Sequence, residues 1–326
     1  MSSDRARDII ELSTEDATLT SVETARRAGV DLDTARRIWR ALGFPALGDD
    51  VKAFGADDVT ALSLTKEVLE TGWPLEEILS IARVYGQSIS RLADAESRGF
   101  TNVFIAPAVE EGSAPEEVGA EIAPKIEQLL DLSASLLDYV HRKHLSVALQ
   151  SMMLSPGRAT EELAAGFVDL VGFSQLSEEL RGGDLGEVLS SFDDIAITAC
   201  AEAGVRLVKL VGDAAMFVSP DAGAALEAAL QILESVEASE LLPTARAGVD
   251  YGEVVPTDGD YFGRPVNVAA RATAFARPGS LVASRAAVDA AGPANFDLSR
   301  IGNRKLKGVG PVDLVRVRRN KADPGE

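Results

Sequence analysis

Cysteine is nearly absent from this sequence, since Cys200 is the only one in 326 residues. A single thiol excludes an internal disulfide framework and a zinc site built from several cysteines. Cys200 follows small and apolar residues on a predicted helix, so we expect a buried structural thiol. Aromatic residues are also scarce, at 5% of the chain.

Long hydrophobic runs and an excess of positive charge are missing as well. No apolar run reaches the roughly 18 residues needed to cross a bilayer. The N-terminal sequence MSSDRARDIIELS contains no apolar signal-peptide segment, and we therefore expect a cytoplasmic protein. The net charge of −19 repels nucleic acids and anionic membranes unless a local basic patch overrides it. We expect neither as a partner.

The residues that are present divide the chain into two parts of different character. Residues 1–152 read as consecutive helices, because apolar residues recur at helical spacing. Pro124 predicts a break or kink in the longest of these helices, and a Pro-Gly pair predicts a linker over 153–160. Residues 161–320 alternate strand-like runs with helices, which predicts an α/β sandwich, and 321–326 form a tail. The predicted fold class is α+β, with an all-helical N-terminal domain.

The segment FVDLVGFS at 167–174 places one carboxylate, Asp169, in a strand-like apolar run. Burying an unpaired carboxylate costs several kcal/mol. Asp169 could begin a turn or pair with a distant arginine, and it could also hold a cation. The segment by itself leaves these alternatives open.

A second carboxylate occurs in the segment VRLVKLVGDAAMFVSP at 205–220. Gly212 and Asp213 lie between two apolar runs, which predicts a tight hairpin. A Gly-Asp turn is common and means little alone. However, Asp169 on a strand and Asp213 at the tip of a neighbouring hairpin can converge on the same ions. Two Mg²⁺ ions held by two carboxylates and phosphate oxygens suit nucleotide chemistry.

The segment DYFGRPVNVAARATAFARPG at 260–279 places Asn267 and Arg271 four residues apart on a predicted helix, and therefore on one face. A solvated arginine on a helix would be unremarkable. Small apolar residues flank Arg271 in the sequence, so we expect it to need an anionic partner. A phosphate would serve.

Together, the segments FVDLVGFS, KLVGD and DYFGRPVNVAAR resemble the catalytic domain of class III nucleotidyl cyclases. The resemblance covers about residues 158–320, half of the chain, and the three motifs have the family's order and spacing. It implies an antiparallel-rich sheet with flanking helices that is active as a head-to-tail homodimer. It also implies two Mg²⁺ or Mn²⁺ ions in each active site.

The resemblance further implies the roles of single residues. Asp169 and Asp213 match the family's two metal-binding aspartates. Lys209 and Asp260 match the pair that reads adenine in adenylyl cyclases, where guanylyl cyclases carry different residues. All four positions are filled as in adenylyl cyclases.

Two further residues match the part of the family site that handles ribose and phosphate. Asn267 and Arg271 match the residues that orient the ribose and stabilise the phosphate charge of the transition state. The family also has a lysine near the C-terminal strands that contacts the triphosphate. The segment RKLKGVG at 304–310 offers Lys305 and Lys307, and we take Lys307 as the candidate.

These residues predict an adenylyl cyclase that converts ATP to 3′,5′-cyclic AMP and pyrophosphate. The ribose 3′-oxygen would attack the α-phosphorus, and Arg271 would stabilise the crowded phosphate oxygens. Lys209 can donate to adenine N1, and Asp260 can accept from the exocyclic amine. Guanine reverses these hydrogen-bonding functions, so the pair would reject GTP.

The N-terminal segment 21–44 resembles a helix-turn-helix with a local basic face. The arginines on this face are Arg26, Arg27, Arg36, Arg37 and Arg40. A DNA-binding regulator with a degenerate, nucleotide-sensing cyclase domain is therefore the rival function. A catalytically dead binding module is a third. The acidic surroundings argue against the DNA-binding regulator, and the complete set of site residues argues against the dead module.

The domain order and the segment YVHRKHL at 139–145 resemble a group of soluble actinobacterial adenylyl cyclases. In that group the N-terminal domain is autoinhibitory and senses pH. His141 and His144 are the only two histidines of the chain and lie on the predicted helix before the linker. Histidine changes charge between about pH 5 and 8. The pair is either solvated surface or a pH sensor that repositions the catalytic domains, and the sequence leaves both interpretations open.

Overall fold

A computed structural model of the chain describes residues 17–113, 115–154, 160–180 and 182–320. The chain divides into two compact units, the first ending at Met153 and the second beginning at Leu154. Residues 155–159 of the predicted linker and the predicted tail at 321–326 lie outside the described residues.

The first unit is built from helices. They are α1 (Ser21–Ala28), α2 (Leu32–Ala41), α3 (Ala56–Glu70), α4 (Leu75–Phe100), α5 (Ala106–Glu110) and α6 (Pro115–Leu154), with a π-helical turn at Thr101–Ile105. Pro124 lies inside α6 and does not end it, so the helix is not broken there. A proline removes one backbone hydrogen bond, and the rest of this long helix continues through it. Within the described residues, no helix is both long and apolar enough to cross a membrane.

Local signals set the bounds of the first two helices. Thr20 and Glu23 form a capping box, in which Glu23 N donates to Thr20 Oγ1 at 3.2 Å and Thr20 N donates to Glu23 Oε2 at 3.0 Å. Gly29 ends α1 in the left-handed conformation, with φ of 68°. Asp31 caps α2, since its Oδ1 accepts from Thr34 N at 2.9 Å. These caps satisfy backbone groups at both helix ends and fix the turn between the helices.

The basic face predicted for residues 21–44 is partly neutralised by carboxylates. Arg36 pairs with Asp49, and Arg37 pairs with Glu76. The opposite faces of these helices form a small apolar core with α3 and α4, whose buried members are Ala25, Ala28, Ala35, Ile38, Trp39, Leu62 and Leu79. The two ion pairs weaken the case for a phosphate-binding surface on this segment.

The second unit is a mixed sheet with helices on both faces. Its strands are β1 (Glu161–Leu170), β2 (Arg206–Val211), β3 (Ala214–Ser219), β4 (Ala245–Thr257), β5 (Asp260–Phe262), β6 (Leu281–Ser284), β7 (Phe296–Leu306) and β8 (Gly310–Arg319). The order across the sheet is β2-β3-β1-β4-β6-β8-β7, and β5 pairs with the end of β4. Of these pairs, β4 with β6 is parallel and the others are antiparallel. The predicted antiparallel-rich α/β sandwich is confirmed.

Helices cover this sheet unequally. They are α7 (Phe173–Glu179), α8 (Gly182–Glu202), α9 (Ala222–Ala238), α10 (Arg264–Phe275) and α11 (Arg285–Ala291), with a 3-10 turn at Pro293–Asn295. On one face, Phe192, Leu226 and Ile232 from α8 and α9 pack against Val168 and Phe217 of the sheet, all fully buried. On the other face, α10 lies over β1 and β4.

Cys200 belongs to the core formed by α8 and α9. It is 1% exposed, and burial raises the pKa of its thiol to about 11. The thiolate is therefore scarce at neutral pH, and the side chain acts as a small apolar residue, as the sequence predicts.

Glycine allows α10 to lie directly on β4. A Cβ atom on Gly248 would stand 2.3 Å from the backbone nitrogen of Thr273 and 2.4 Å from the carbonyl oxygen of Ala269. Gly252, four residues further along β4 and on the same face, lies under the first turn of α10. Asp250 lies between Gly248 and Gly252 on this face, and it is the only one of the three that carries a side chain.

The substitution Gly248→Ala should destabilise the second unit by about 1–3 kcal/mol, the range for overpacking a close-packed core. The backbone of α10 must move to admit the methyl group. Urea denaturation followed by circular dichroism would measure the loss.

The matched control is Gly186→Ala. Gly186 is exposed in α8, and nothing lies within 4 Å of an added Cβ atom. This change should be neutral or stabilise the helix by up to about 1 kcal/mol. A Gly248→Ala chain as stable as the parent would show that α10 does not need this close approach.

Candidate active site

Strands β1 and β4 place Asp169 opposite Arg246. The two residues are direct partners in the antiparallel register. Arg246 donates to Asp169 Oδ2 from Nη2 at 2.7 Å and from Nε at 2.9 Å. Arg246 Nη1 also donates to the carbonyl oxygen of Ala274, near the end of α10, at 3.2 Å. Among the alternatives that the sequence leaves open, pairing with a distant arginine is therefore observed.

The hairpin between β2 and β3 places Asp213 next to this ion pair. Gly212 makes the turn with φ of 61°, and the carbonyl oxygen of Asp213 accepts from Leu170 N at 3.0 Å. The pKa of the Asp213 carboxyl is raised, first by burial and also by the negative charge of Asp169. The two carboxylates are therefore close enough to repel one another.

Asp169 and Asp213, the carboxylate pair, fit a divalent cation. Both bonds from Arg246 end on Asp169 Oδ2, which leaves Oδ1 available as a ligand. Hard cations prefer such carboxylate oxygens. Within the described residues, no cluster of three or more His, Cys, Asp or Glu side chains could hold a metal ion. A cation here would therefore need further oxygen atoms, such as the phosphates of a substrate.

Strands β2 and β5 bring Lys209 and Asp260 into contact. Lys209 Nζ donates to Asp260 Oδ2, and Tyr261 N donates to Asp260 Oδ1 at 2.9 Å. Arg206 Nη1 donates to the Tyr261 hydroxyl at 3.0 Å, a second link between the two strands. The side chains of Lys209 and Asp260 are 35% and 27% exposed, so each retains surface for a ligand.

Helix α10 presents Asn267 and Arg271 on its exposed face. Its opposite face is buried through Val268 and Ala272, among others. Arg271 therefore points away from the apolar residues that flank it in the sequence, and the reason given there for its anionic partner is wrong. Arg271 nevertheless makes no hydrogen bond or ion pair with the described residues. Its guanidinium group is available to bind an anion.

Lys307 lies away from the carboxylate pair in the chain, at the end of the sheet where β5 pairs with β4. It is exposed in the turn between β7 and β8, and the strand registers put that turn at the end of the sheet opposite to Asp169. Arg246 is the basic residue at the carboxylate pair. Its signal in the sequence is a lone charge in the apolar run ARAGV at 245–249, but the register that sets it opposite Asp169 cannot be read there.

The two histidines lie on α6 in the first unit. His141 Nε2 is 3.4 Å from the Tyr85 hydroxyl on α4, and the two rings meet edge to face with centroids 6.1 Å apart. Asp138, one turn before Arg142, pairs with it at 2.9 Å. His144 is exposed and makes no hydrogen bond with the described residues. The two histidines therefore differ, since one of them contacts another helix.

The two units match two known domains. Residues 157–318 match the family described as the adenylate and guanylate cyclase catalytic domain. A cyclase catalytic domain is thus the class that the sheet and its site define. Residues 6–153 match the adenylate cyclase regulatory domain.

Several similar proteins are adenylate cyclases of actinobacteria. The chain is 36% identical to an adenylate cyclase of Streptomyces coelicolor over 262 residues, 79% of this chain and 67% of that enzyme. Identity is 35% to an adenylate cyclase of Streptomyces griseus, over 80% of this chain and 65% of that enzyme. Identity is 31% to a pH-sensitive adenylate cyclase of Mycobacterium tuberculosis, over 95% of this chain and 81% of that enzyme. The chain thus spans about two thirds of the Streptomyces enzymes. It belongs to the adenylate cyclases, and the predicted family and enzyme class are confirmed.

The carboxylate pair predicts opposite effects of two substitutions on stability in metal-free buffer. Because the folded state raises the pKa of Asp213, the folded chain binds a proton more readily than the unfolded chain. The stability contributed by this group is therefore lost as the pH rises above about 4. Asp213→Asn should raise the free energy of unfolding at pH 7 by at most about 1 kcal/mol. The limit is low because the carboxyl is partly exposed and solvent screens its charge. At pH 3 the gain should vanish.

Asp169→Asn is the matched comparison and should lower the free energy of unfolding at pH 7, because Arg246 loses its ionic partner. The loss should also be at most about 1 kcal/mol. Urea denaturation with EDTA measures both variants. A less stable Asp213→Asn chain at pH 7 would show that its carboxylate is well compensated without a cation.

Proposed function

We propose that two copies of this chain convert ATP to 3′,5′-cyclic AMP and pyrophosphate at two equivalent sites. The contact between Lys209 and Asp260 is the observation that carries this proposal. It sets one hydrogen-bond donor beside one acceptor, the two functions that the edge of adenine requires. Membership of the adenylate cyclases supports the same reaction.

Lys209 and Asp260, the adenine-reading pair, would recognise the base. Lys209 donates to adenine N1, and Asp260 accepts from the exocyclic amine. Guanine presents a donor at N1 and an acceptor at the neighbouring carbon, so both contacts become mismatches. Each unmatched buried group costs about 1–3 kcal/mol. Because the two side chains bond to each other, neither lacks a partner before the nucleotide enters.

At the reacting centre, the ribose 3′-oxygen attacks the α-phosphorus of ATP. The bond from that phosphorus to the oxygen that bridges to the β-phosphate breaks, and pyrophosphate leaves. The proton of the 3′-hydroxyl passes to solvent. Asn267 orients the ribose, and Arg271 donates to the non-bridging oxygens of the α-phosphate, where charge accumulates.

The carboxylate pair would hold two ions of Mg²⁺ or Mn²⁺ in each site. When bound, the ions lower the pKa of the attacking hydroxyl and neutralise phosphate charge. Asp169 offers Oδ1 while Arg246 holds Oδ2. Phosphates that completed the ligand set would lie beside the Arg246 guanidinium. Arg246 is therefore a candidate for a contact with the triphosphate, and Lys307 remains the candidate from the copy that supplies Arg271.

Exposed apolar side chains on the strands of the adenine-reading pair support a second copy of the chain. Val211 on β2 is 61% exposed, and Val255 and Phe262, direct partners on β4 and β5, are 41% and 53% exposed. Exposed apolar patches mark interaction surfaces. In a two-fold dimer, the carboxylate pair of one copy would meet α10 of the other.

Complementation between two inactive variants tests the shared site. Homodimers of Asp169→Ala and of Arg271→Ala should each lose both sites. A mixed dimer keeps one intact site, which combines the aspartates of one copy with Arg271 of the other. Random assembly makes about half of the dimers mixed, so co-expression should restore about a quarter of the parental sites. Cyclic AMP formation from MnATP measures the recovery.

The matched control is co-expression of Asp169→Ala with Asp213→Ala. Both lesions then affect the same half of the site, so no dimer holds an intact carboxylate pair and no activity should return. If a purified Asp169→Ala and Arg271→Ala heterodimer is as inactive as its parents, the active site is not shared between copies.

Base selection is tested by reversing the polarity of the adenine-reading pair. The double variant Lys209→Glu with Asp260→Cys should lower kcat/KM for ATP at least tenfold, about 1.4 kcal/mol of transition-state stabilisation. The melting temperature, measured in parallel, shows whether the variant is folded. A folded double variant that cyclises ATP as fast as the parent would exclude these residues from base recognition.

We further propose that His141 makes the first unit responsive to pH. It links α6 to α4 through Tyr85, and a relative that is 31% identical is described as pH-sensitive. In the protonated ring Nε2 is a donor whichever tautomer the neutral ring adopts, and the Tyr85 hydroxyl can accept from it. Asp138 lies close enough to interact with the charge of His141. Acidification would therefore strengthen the contact between α4 and α6.

The His141→Gln variant should show a flatter pH–activity curve between about pH 5 and 8, because its side chain cannot titrate. His144→Gln is the matched control, and the double variant should behave like His141→Gln. The measurement is cyclic AMP formation across this range. A parental curve in the double variant would remove both histidines as sensors.

A further inference from the structure

Asp250 is a buried carboxylate that the proposed reaction does not use. It is 1% exposed on β4, between Gly248 and Gly252, with α10 lying across it. Burial raises the pKa of its carboxyl, and hydrogen bonding by Ser284 and by the backbone at Tyr251 opposes this rise. Its Oδ2 atom, however, has no hydrogen-bond partner among the described residues. A buried charged oxygen without a partner is unfavourable and calls for an explanation.

Arg264 is the charged group that faces this oxygen. Its Nη1 atom is 4.0 Å from Asp250 Oδ2, too far for a hydrogen bond, and its side chain is 61% exposed. Burial raises the pKa of Asp250, and the charge of Arg264 opposes this rise. Among the described residues of the other elements packed against Asp250, no further charged side chain acts on its pKa.

Arg264 is the first residue of α10, and Asn267 and Arg271 follow it at three and seven positions on the same face. The helix begins without a side-chain cap, because Gly263 precedes it with φ of 141° and has no side chain. The electrostatic attraction between Arg264 and Asp250 therefore connects the first turn of α10 to the sheet. Whatever moves this turn also moves the two side chains that act on ribose and phosphate.

We propose that Asp250 is a positioning residue, whose unpaired oxygen accepts a hydrogen bond from Arg264 during turnover and thereby sets the position of Asn267 and Arg271. This inference rests on the proposed cyclase reaction. Rotation of the exposed Arg264 side chain is enough to close the 4.0 Å gap and to satisfy Oδ2 with a charge-assisted bond. Asn267 and Arg271 act on the transition state in the proposed reaction. Loss of the contact between Arg264 and Asp250 therefore lowers kcat more than it changes KM.

The test measures cyclase kinetics with MnATP for the full-length chain and its variants. Arg264→Met keeps the bulk of the side chain but removes the charge, and it should lower kcat at least tenfold with KM within twofold. Arg264→Lys restores the charge and should recover most of the loss. Asp250→Asn should lower kcat by a factor similar to Arg264→Met. The double variant should lose no more than either single variant, because both act through one contact.

The matched control is Arg285→Met. Arg285 is the first residue of α11, and its Nε atom is 3.8 Å from Asp313 Oδ2 on β8. Like Arg264, it begins a helix near a strand aspartate, but Asp313 is 40% exposed and the helix carries none of the proposed site residues. Its kcat should stay within twofold of the parental value.

Thermal unfolding separates positioning from a structural role. Since burial raises the pKa of Asp250, the folded chain favours the neutral acid, and the stability from this group falls as the pH rises above the ordinary pKa. Asp250→Asn should therefore melt at the same or a higher temperature at pH 7 while its activity falls. A structural role would instead make both fall together.

Three results would overturn the inference while the parent remains active. They are a parental kcat in Arg264→Met, a loss of activity that follows the melting temperature and is not rescued by Arg264→Lys, and an equal loss in Arg285→Met. A parental chain that forms no cyclic AMP rejects the proposed function, and the inference with it. The activity of the parent therefore tells the two failures apart.

Discussion

The close approach of α10 to β4 is the constraint on which the candidate site depends. With a glycine at 248, the helix backbone rests on the strand backbone, which fixes the height of Asn267 and Arg271 above the sheet. The same strand carries Arg246, which bonds both Asp169 and the end of α10. It then leads into β5, which carries Asp260. One strand thus links the carboxylate pair, helix α10 and the contact between Lys209 and Asp260.

Charge compensation follows from this layout. The candidate site contains several carboxylates, and Asp169 and Asp260 each face a cationic side chain. These ion pairs limit the cost of burying charge before substrate is present. Arg271 is the exception, since it has no partner among the described residues. Under the proposed function, this free guanidinium would attract a polyphosphate despite the net charge of −19.

Local patterns predicted much of this unit. Strand-like runs alternating with helices were predicted over residues 161–320, and the observed helices there include Gly182–Glu202, Ala222–Ala238 and Arg264–Phe275. The hairpin at Gly212 and Asp213 was also readable, because glycine and aspartate between two apolar runs favour a turn. The three-residue strand β5 was not, since it has no pattern of its own and exists through pairing with β4.

Long-range register accounts for most of what the sequence did not predict. Asp169 and Arg246 are 77 residues apart, and nothing local indicates that they face each other. Arg271 shows a different limit. Its immediate neighbours in the sequence include residues on the buried face of the helix, because successive residues turn by about 100°, so their apolar character says little about the surroundings of the arginine.

The central claim is that a catalytic site needs two copies of the chain. The most direct measurement is the specific activity of the purified chain with MnATP as its concentration is lowered, with sedimentation recording the dimer fraction at each concentration. Specific activity should fall in proportion to the dimer fraction and recover when the chain is concentrated again. Constant specific activity at concentrations where sedimentation detects monomer alone would contradict the claim.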